Sequence, residues 1–335
     1  MVSTRARFRK WSWVEAPARL HLGFLDLNGS LGRRFGSIGV TLDGLTTRVA
    51  AARAPKSSVR GPDKTRAANY VELLRQACGL DGGVELVIES SIPAHAGLGS
   101  GTQLALAVGT AVSRLFDLGL TAQRIAQLLD RGSRSGIGIG AFEQGGFLVD
   151  GGHGRDDQPP PIVSRMDFPT HWRIVLVLDP NRYGLHGQAE VEAFRTLPRF
   201  PEADAGCLCR LMLMQALPAV ARADLAAFGT AVTHTQRVVG DYFAPAQGGR
   251  FASARVAEIL ALAESHGAVC VGQSSWGPTG FVIVESEAQA ERLVRLGMSA
   301  RSGASAVDFR ILRARNHGAL AWLDDERAGV KQGSM

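Results

Sequence analysis

The sequence predicts an α+β protein of two domains. Three observations carry this. The chain has 335 residues, enough for two modest cores. Residues 84–114 read as a strand, a glycine-rich loop and a buried helix. In the second half, a strand at 172–178 and the run of elements over 256–314 give a β-α-β-β-α-β-like pattern with additions. Residues 1–165 are expected to form the first domain and 166–335 the second, with the proline-rich stretch 156–169 as the junction.

In chain order, residues 14–43 (VEAPARLHLGFLDLNGSLGRRFGSIGVTLD) alternate as a strand, turn through a polar glycine-containing segment and resume a strand after Gly36, a hairpin. Residues 48–59 read as scaffold, and 69–78 as a helix with Tyr70, Val71, Leu74 and Ala77 on one stripe. VELVIE at 84–89 alternates with period two, and Pro93 ends that strand by removing a ladder donor. The helix over 102–114 is apolar round much of its circumference, and Thr121 is placed to cap a second helix through Asp130, which Gly132 stops. Residues 131–152 are glycine-rich. After the strand at 172–178, Asp179-Pro180-Asn181-Arg182 signals a turn, and His186-Gly187 falls in a loop where a lone histidine reads as surface. Two helices at 208–220 and 225–239 precede a loop over 240–249. A helix at 256–266, a strand at 268–271, the turn GQSSWGPTG, a strand at 281–284, a helix at 287–296 and a strand at 306–314 complete the chain.

The stretch SIPAHAGLGSGTQLAL at 91–106 is the centre of the functional reading. Gly97, Gly99 and Gly101 are free to take positive φ, so backbone N–H groups can converge at a helix N-terminus that carries about half a unit of positive charge. Phosphate or diphosphate is the natural guest. A glycine motif alone also fits a tight strand-to-helix turn, and it is Ser100 with the whole Pro-x-x-x-Gly-Leu-Gly-Ser string that favours an anion.

Composition narrows the function classes. The net charge is +6, from 37 Lys and Arg against 31 Asp and Glu, which suits small anionic substrates. No basic run interleaved with aromatics appears, so nucleic acid is not expected as a partner. Cys78, Cys207, Cys209 and Cys270 lack metal-site spacing and read as reduced thiols. The basic first ten residues lack the apolar core of a signal peptide, and no segment reads as the ~20 apolar residues of a membrane span. A cytoplasmic location without membrane partners is expected.

Residues 92–101, Ile-Pro-Ala-His-Ala-Gly-Leu-Gly-Ser-Gly, resemble the phosphate loop of the GHMP superfamily. Where the kinases usually read Gly-Leu-Gly-Ser-Ser, this chain continues Gly-Thr-Gln through Gln103 and carries His95 in the approach, a form similar to the β-ribofuranosylaminobenzene 5′-phosphate synthase branch of tetrahydromethanopterin biosynthesis. Three further blocks resemble the same branch: Ala16 to Gly23 with Asp26 and Arg33-Arg34-Phe35-Gly36, then 131–152, and Gln273-Ser274-Ser275-Trp276-Gly277-Pro278-Thr279. The resemblance implies a GHMP-type fold, with an N-terminal domain like ribosomal protein S5 domain 2 and a C-terminal ferredoxin-like domain. It also implies a homodimer, Mg²⁺ with ligands unassigned, and no organic cofactor. In the kinases a Ser-Gly-x-Asp string supplies the carboxylate acting on the substrate hydroxyl. Here Ser135-Gly136-Ile137-Gly138 has glycine in that place, which removes the obvious general base for phosphoryl transfer to an alcohol.

The implied reaction condenses 5-phosphoribosyl 1-diphosphate with 4-aminobenzoate or 4-hydroxybenzoate, releasing diphosphate and carbon dioxide. It needs an anion cradle for the leaving group, for which Pro93, Gly97, Leu98, Gly99, Ser100, Gly101, Thr102 and Gln103 are the expected contacts. It needs a planar fork for the aryl carboxylate, with Arg33, Arg34 and Arg134 as candidates. It needs stabilisation of positive charge, assigned to Asp26, while His95 suits a proton or a phosphate oxygen. Asp26, Arg33 and His95 are thus the expected catalytic set, and Ser274 and Ser275 are added as substrate contacts. An ATP-dependent kinase is the alternative, and a non-catalytic ligand-binding protein a third reading.

Overall fold

The computed structural model describes residues 10–155, 158–185, 187–299 and 307–324. The first nine residues, His186 and the start of the 306–314 strand lie outside these residues, as do Asp156 and Asp157 at the expected junction. Strands β1 (Trp11–Asp26) and β2 (Phe35–Ala54) form the expected hairpin. β3 (Ser58–Arg60), α1 (Lys64–Cys78), β4 (Gly83–Ser90), α2 (Ser100–Leu115), α3 (Ala122–Leu128), α4 (Ile137–Glu143), β5 (Phe147–Asp150) and β6 (Ile162–Met166) follow. The second half runs through β7 (Arg173–Leu178), α5 (Gln188–Thr196), α6 (Glu202–Leu211), a π-helical turn (Met212–Ala216), α7 (Leu217–Arg222) and α8 (Leu225–Gln247). It continues with α9 (Ala254–Ser265), β8 (Cys270–Gln273), β9 (Gly280–Val284), α10 (Glu287–Ser299), β10 (Asp308–Leu312) and β11 (Leu320–Leu323).

Two sheets organise these elements. The first has the order β11-β1-β2-β4-β3, with β5 pairing β2 and β6 pairing β5. β2 is long enough to serve two partners: residues 48–54 pair with β4 and 37–40 with β5. The second sheet has the antiparallel order β10-β7-β9-β8, the arrangement of a ferredoxin-like βαββαβ unit. The expected division at 165/166 falls within β6, and the last described strand does not stay in the second half: β11 returns to the first sheet beside β1.

Burial explains the layering. Val14, Ala16, Val49, Leu86 and Ile88 face Leu104, Val108 and Val112 of α2 on one side of the first sheet. Leu20, Leu22, Ile38 and Val40 face the second half, where Ile174, Leu208, Phe228, Val232 and Phe281 meet them in a core shared by both halves. β7 is buried on both faces, Ile174 and Leu176 toward that core and Val175 and Val177 toward α9 and α10, so it reads as an unbroken apolar run.

Two expectations are corrected here. Residues 240–249 are not a loop until the end, because α8 continues to Gln247 with Pro245 in its last turn. Phe243 is 2% exposed and stacked on Trp276, and that packing overrides the turn signal of glycine and proline. Residues 202–222 form one helical run long and apolar enough for a bilayer span by length and composition. It packs through Ala205, Leu208, Met212, Ala216 and Val220 into the shared core, while Leu213 and Met214 face outward.

Candidate active site

β4 leads into the loop ahead of α2. Gly97 (φ +74°) and Gly99 (φ +84°) take the left-handed backbone, and Gly99 caps α2 without any side-chain bond. The first helical rung is Gln103 N–H to the Gly99 carbonyl at 3.0 Å, so the amides of Ser100, Gly101 and Thr102 precede the ladder and point out of the helix end. Gly101 does not use positive φ; it is a helical residue, and its lack of a side chain instead leaves room for guanidinium groups. The Nη1 atoms of Arg66 and Arg131 lie 3.7 and 3.9 Å from where its Cβ would be.

A third guanidinium belongs to Arg19 on β1, which donates to the Gly97 carbonyl and packs against Gly99. Burial pushes its pKa down to about 10, with Glu190 acting in the opposite direction. Glu190, on α5, is engaged by Arg134 at 2.7 Å, and Arg66 is engaged by Asp63 at 2.8 Å. Four guanidiniums therefore meet two carboxylates around the mouth of α2, a surplus that attracts an anion. Gly99→Val would strain the backbone and bring its Cβ 3.1 Å from Arg19 Cγ. That variant is expected to raise the donor KM about tenfold or more, measured by initial rates, and an unchanged KM would refute the cradle.

The loop is held from the second half. Ser274 Oγ donates to the Gly97 carbonyl at 2.7 Å and accepts from the His21 amide at 2.9 Å. A Cβ on Gly97 would lie 2.3 Å from the Ser274 carbonyl, so only glycine permits this approach. Ser275 follows at φ +56°. Trp276 stacks on Phe243 at 4.0 Å, and Phe194 of α5 meets both rings edge-on as well as Phe24 and Phe35. Arg134 lies over the Phe194 ring at 5.5 Å, at the rim of this aromatic layer.

Asp150 holds the turn that follows Arg134. That carboxylate, 1% exposed, accepts from the Ser37 hydroxyl and amide and from Ser135 Oγ at 3.2 Å, Gly136 N at 2.9 Å and Gly152 N at 2.9 Å. Burial holds its pKa above the usual carboxylate range despite these donors. Asp150→Asn places an NH₂ against several donors and is expected to destabilise the fold by about 1–3 kcal/mol, read from urea midpoints.

Relatives decide the family. The chain is 35% identical over 289 residues to beta-ribofuranosylphenol 5′-phosphate synthase of Archaeoglobus fulgidus, covering 82% of this chain and 88% of that protein. The enzyme of the same name from Methanocaldococcus jannaschii is 33% identical, with 83% and 91% covered. The chain belongs to this synthase family of the GHMP superfamily. The GHMP kinases N terminal domain family matches residues 65–147, and the GHMP kinases C terminal family matches 216–295. Solved structures share the fold: L. major mevalonate kinase in complex with R-mevalonate has a TM-score of 0.66 at 15% identity over 90% of this chain and 95% of that one. Homoserine kinase of Cytophaga hutchinsonii gives 0.61 at 16%, covering 96% and 100%.

Against this GHMP frame the expected site residues fall into two groups. Pro93, Gly97, Leu98, Gly99, Ser100, Gly101, Thr102, Gln103, Ser274, Ser275 and Arg134 gather around the mouth of α2. Gln103 Nε2 donates to the Gly138 carbonyl at 2.7 Å, and a Cβ at Gly138 would stand 3.0 Å from Thr102 Cγ2, so glycine there also serves the close approach of α4 to α2. Within the glycine-rich stretch 131–152, Gly138 thus lies in the short helix α4. His95 sits exposed in the approach at φ +57°, edge-on to Tyr183. Asp26, Arg33 and Arg34 form the second group, at the hairpin tip, about 20 Å along β1 from Arg19. Asp26 accepts from the amides of Asn28 and Gly29 at 2.8 and 2.9 Å, and Arg33 donates to the carbonyls of Gly151 and Gly152. Between the groups, Arg134 pairs with Glu190 and lies over Phe194, whose ring meets Phe35 edge-on next to Arg34. Sequence reasoning missed Arg19, Arg66 and Arg131. Arg19 was within reach, since it shares a strand face with His21 in the quoted first motif; Arg66 and Arg131 meet only through helix packing.

Proposed function

We propose that the protein catalyses the decarboxylating condensation of 5-phosphoribosyl 1-diphosphate with 4-aminobenzoate or 4-hydroxybenzoate, in tetrahydromethanopterin biosynthesis in the cytoplasm, as a homodimer. The observation that carries the reading is an anion cradle with surplus guanidiniums beside a position, Gly138, that holds no carboxylate. The diphosphate lies on the Ser100–Thr102 amides with Arg19, Arg66 and Arg131, which stabilise charge as the C1–oxygen bond breaks. The ring carbon bearing the carboxylate attacks C1, and the carboxylate leaves as carbon dioxide, returning its bonding pair to the ring. No net proton is transferred. Arg134 holds the aryl carboxylate through its fork, exchanging Glu190 for substrate.

Asp26 and Arg33, at the hairpin tip and away from the breaking C1–oxygen bond, are assigned to substrate closure. Arg33→Lys keeps the charge but loses the two-carbonyl grip, and turnover is expected to fall about tenfold or more with little change in melting temperature. Near-normal turnover removes Arg33 from the mechanism. Magnesium is assigned to the donor's phosphate oxygens: among the described residues no group of three or more His, Cys, Asp or Glu side chains is placed to hold a metal, and Mg²⁺ commonly takes substrate phosphates with few protein ligands. The decisive experiment supplies the donor, Mg²⁺ and carboxyl-labelled 4-aminobenzoate or 4-hydroxybenzoate without ATP. Equimolar carbon dioxide and diphosphate are expected, whereas turnover only with ATP would replace this reading with a kinase.

A further inference from the structure

We propose that the outward face of the helical run 202–222 receives a second copy of this chain, the two runs packing antiparallel about a two-fold axis that passes between Leu213 and Met214. The assignment rests on the homodimer of the proposed function and deepens it, and it is independent of the chemistry.

The run comprises α6, the π-helical turn and α7, and it is apolar on both sides. Its inward side enters the shared core, yet only 33% of its most apolar 18-residue window is buried. The outward side exposes Ala203, Gly206, Cys207, Leu213, Met214 and Ala221, with Leu213 64% and Met214 69% accessible. Arg210 is the one charged residue between Asp204 and Arg222. The outer face of a surface helix is ordinarily charged and polar, and a contiguous apolar face marks a surface that another surface covers. Small residues toward both ends allow close approach, while Leu213 and Met214 fill the centre.

Charge decides the occupant. Asp204 lies in the first turn of α6 and Arg222 in the last turn of α7, and neither has an ion-pair partner among the described residues. Asp224, the acid nearest Arg222 in sequence, caps α8 by accepting from Ala227 N. Eighteen residues separate Asp204 from Arg222, about five turns, so both project from one side of the run. They stand about 14 and 13 Å along the helix to either side of the point between Leu213 and Met214. Turning a copy end for end about that point sets Asp204 of each against Arg222 of the other and opposes the two helix dipoles.

This self-complementarity is what an isologous contact between identical chains requires. A lipid surface fits it less well, because Glu202 and Asp204 would face the phosphates at one end. The location also bears on the molecule's far end. The start of the run holds the β1–β2 tip, with Asn28 Nδ2 donating to the Phe200 carbonyl and Ser30 Oγ to Glu202 at 3.1 Å. A copy docked at Asp204 therefore stands beside that tip.

Sedimentation velocity on the full chain is the test. The wild type is expected as a dimer at micromolar concentration. Leu213→Glu combined with Met214→Glu should raise the dimer Kd about 100-fold or more with little change in melting temperature, since both side chains are exposed. Asp204→Arg and Arg222→Asp should each weaken the dimer about tenfold or more, and the two together should recover most of that loss. A dimer that survives both glutamates would overturn the face. Exchanges whose losses add without recovery would overturn the antiparallel register. A monomeric wild type would overturn the homodimer and this interface together, and flotation of that monomer with phosphatidylcholine vesicles would make a membrane the occupant. Initial rates on the same preparations separate the chemistry: a wild-type dimer that weakens as expected but turns over neither acid would sink the synthase reading and support the interface.

Discussion

Arg19→Leu is expected to lower kcat/KM for 5-phosphoribosyl 1-diphosphate by about 10³-fold or more, equivalent to ~4 kcal/mol of transition-state stabilisation. The guanidinium stands against Gly97 and Gly99, beside the amides that take the leaving charge, where burial strengthens its field. Folding should not suffer in proportion. The Gly97 carbonyl keeps its bond from Ser274, and a cation desolvated enough to lose affinity for its proton is relieved by removal. Initial rates and melting curves on the same preparation separate the two effects. A variant that loses stability but keeps near-normal kcat/KM would show that Arg19 is scaffold.

The second large effect is on acid stability. Burial and Arg19 push the His21 pKa down from 6.5 to about 3. A depressed histidine favours the unfolded chain whenever it is protonated, so its contribution is whole above pH 6.5 and is lost as the pH falls toward 3. The loss amounts to roughly 4–5 kcal/mol across that window. Asp150 works the other way, because its raised pKa makes the folded state bind a proton more readily than the unfolded chain. Urea midpoints at pH 7 and pH 4 for the wild type and His21→Leu isolate the histidine. The variant should lose less stability between the two pH values, and identical losses would refute the shift.

Much of this architecture is legible in the sequence because local pattern and tertiary demand agree. Residues 84–114 alternate, turn on glycine and then run apolar, and they fold as β4, the loop and α2. Thr121 accepts from Arg124 N, as its place before the helix implies. Where two demands compete, the local signal loses: Gly240 and Pro245 mark a loop, yet Phe243 packed on Trp276 holds the helix through Gln247. The site was legible where it is contiguous, as in the glycine loop with Ser274 and Ser275. It was hidden where residues far apart in sequence converge. Arg66 and Arg131 carry no motif, and their approach to Gly101 follows from how α1 and the end of α3 pack against α2. Asp26 and Arg33 were expected in one catalytic set with His95, yet they stand at the hairpin tip, about 20 Å along β1 from Arg19, a distance that a motif does not encode.

The return of β11 to the first sheet has a consequence for biogenesis. Ser12 pairs with Leu323 and Glu15 with Leu320, so one edge of β1 stays open on the ribosome until some 300 further residues have been made. At about 5–20 residues per second this interval is roughly 15–60 s, during which a long, largely apolar strand presents unpaired backbone to its surroundings. Trp13 and Trp322 then stack at 6.2 Å across the closing seam, with Arg48 over both rings. Chains released from ribosomes stalled before Leu320 should therefore recruit chaperones while full-length chains do not, and tryptophan fluorescence would time the closure in the latter.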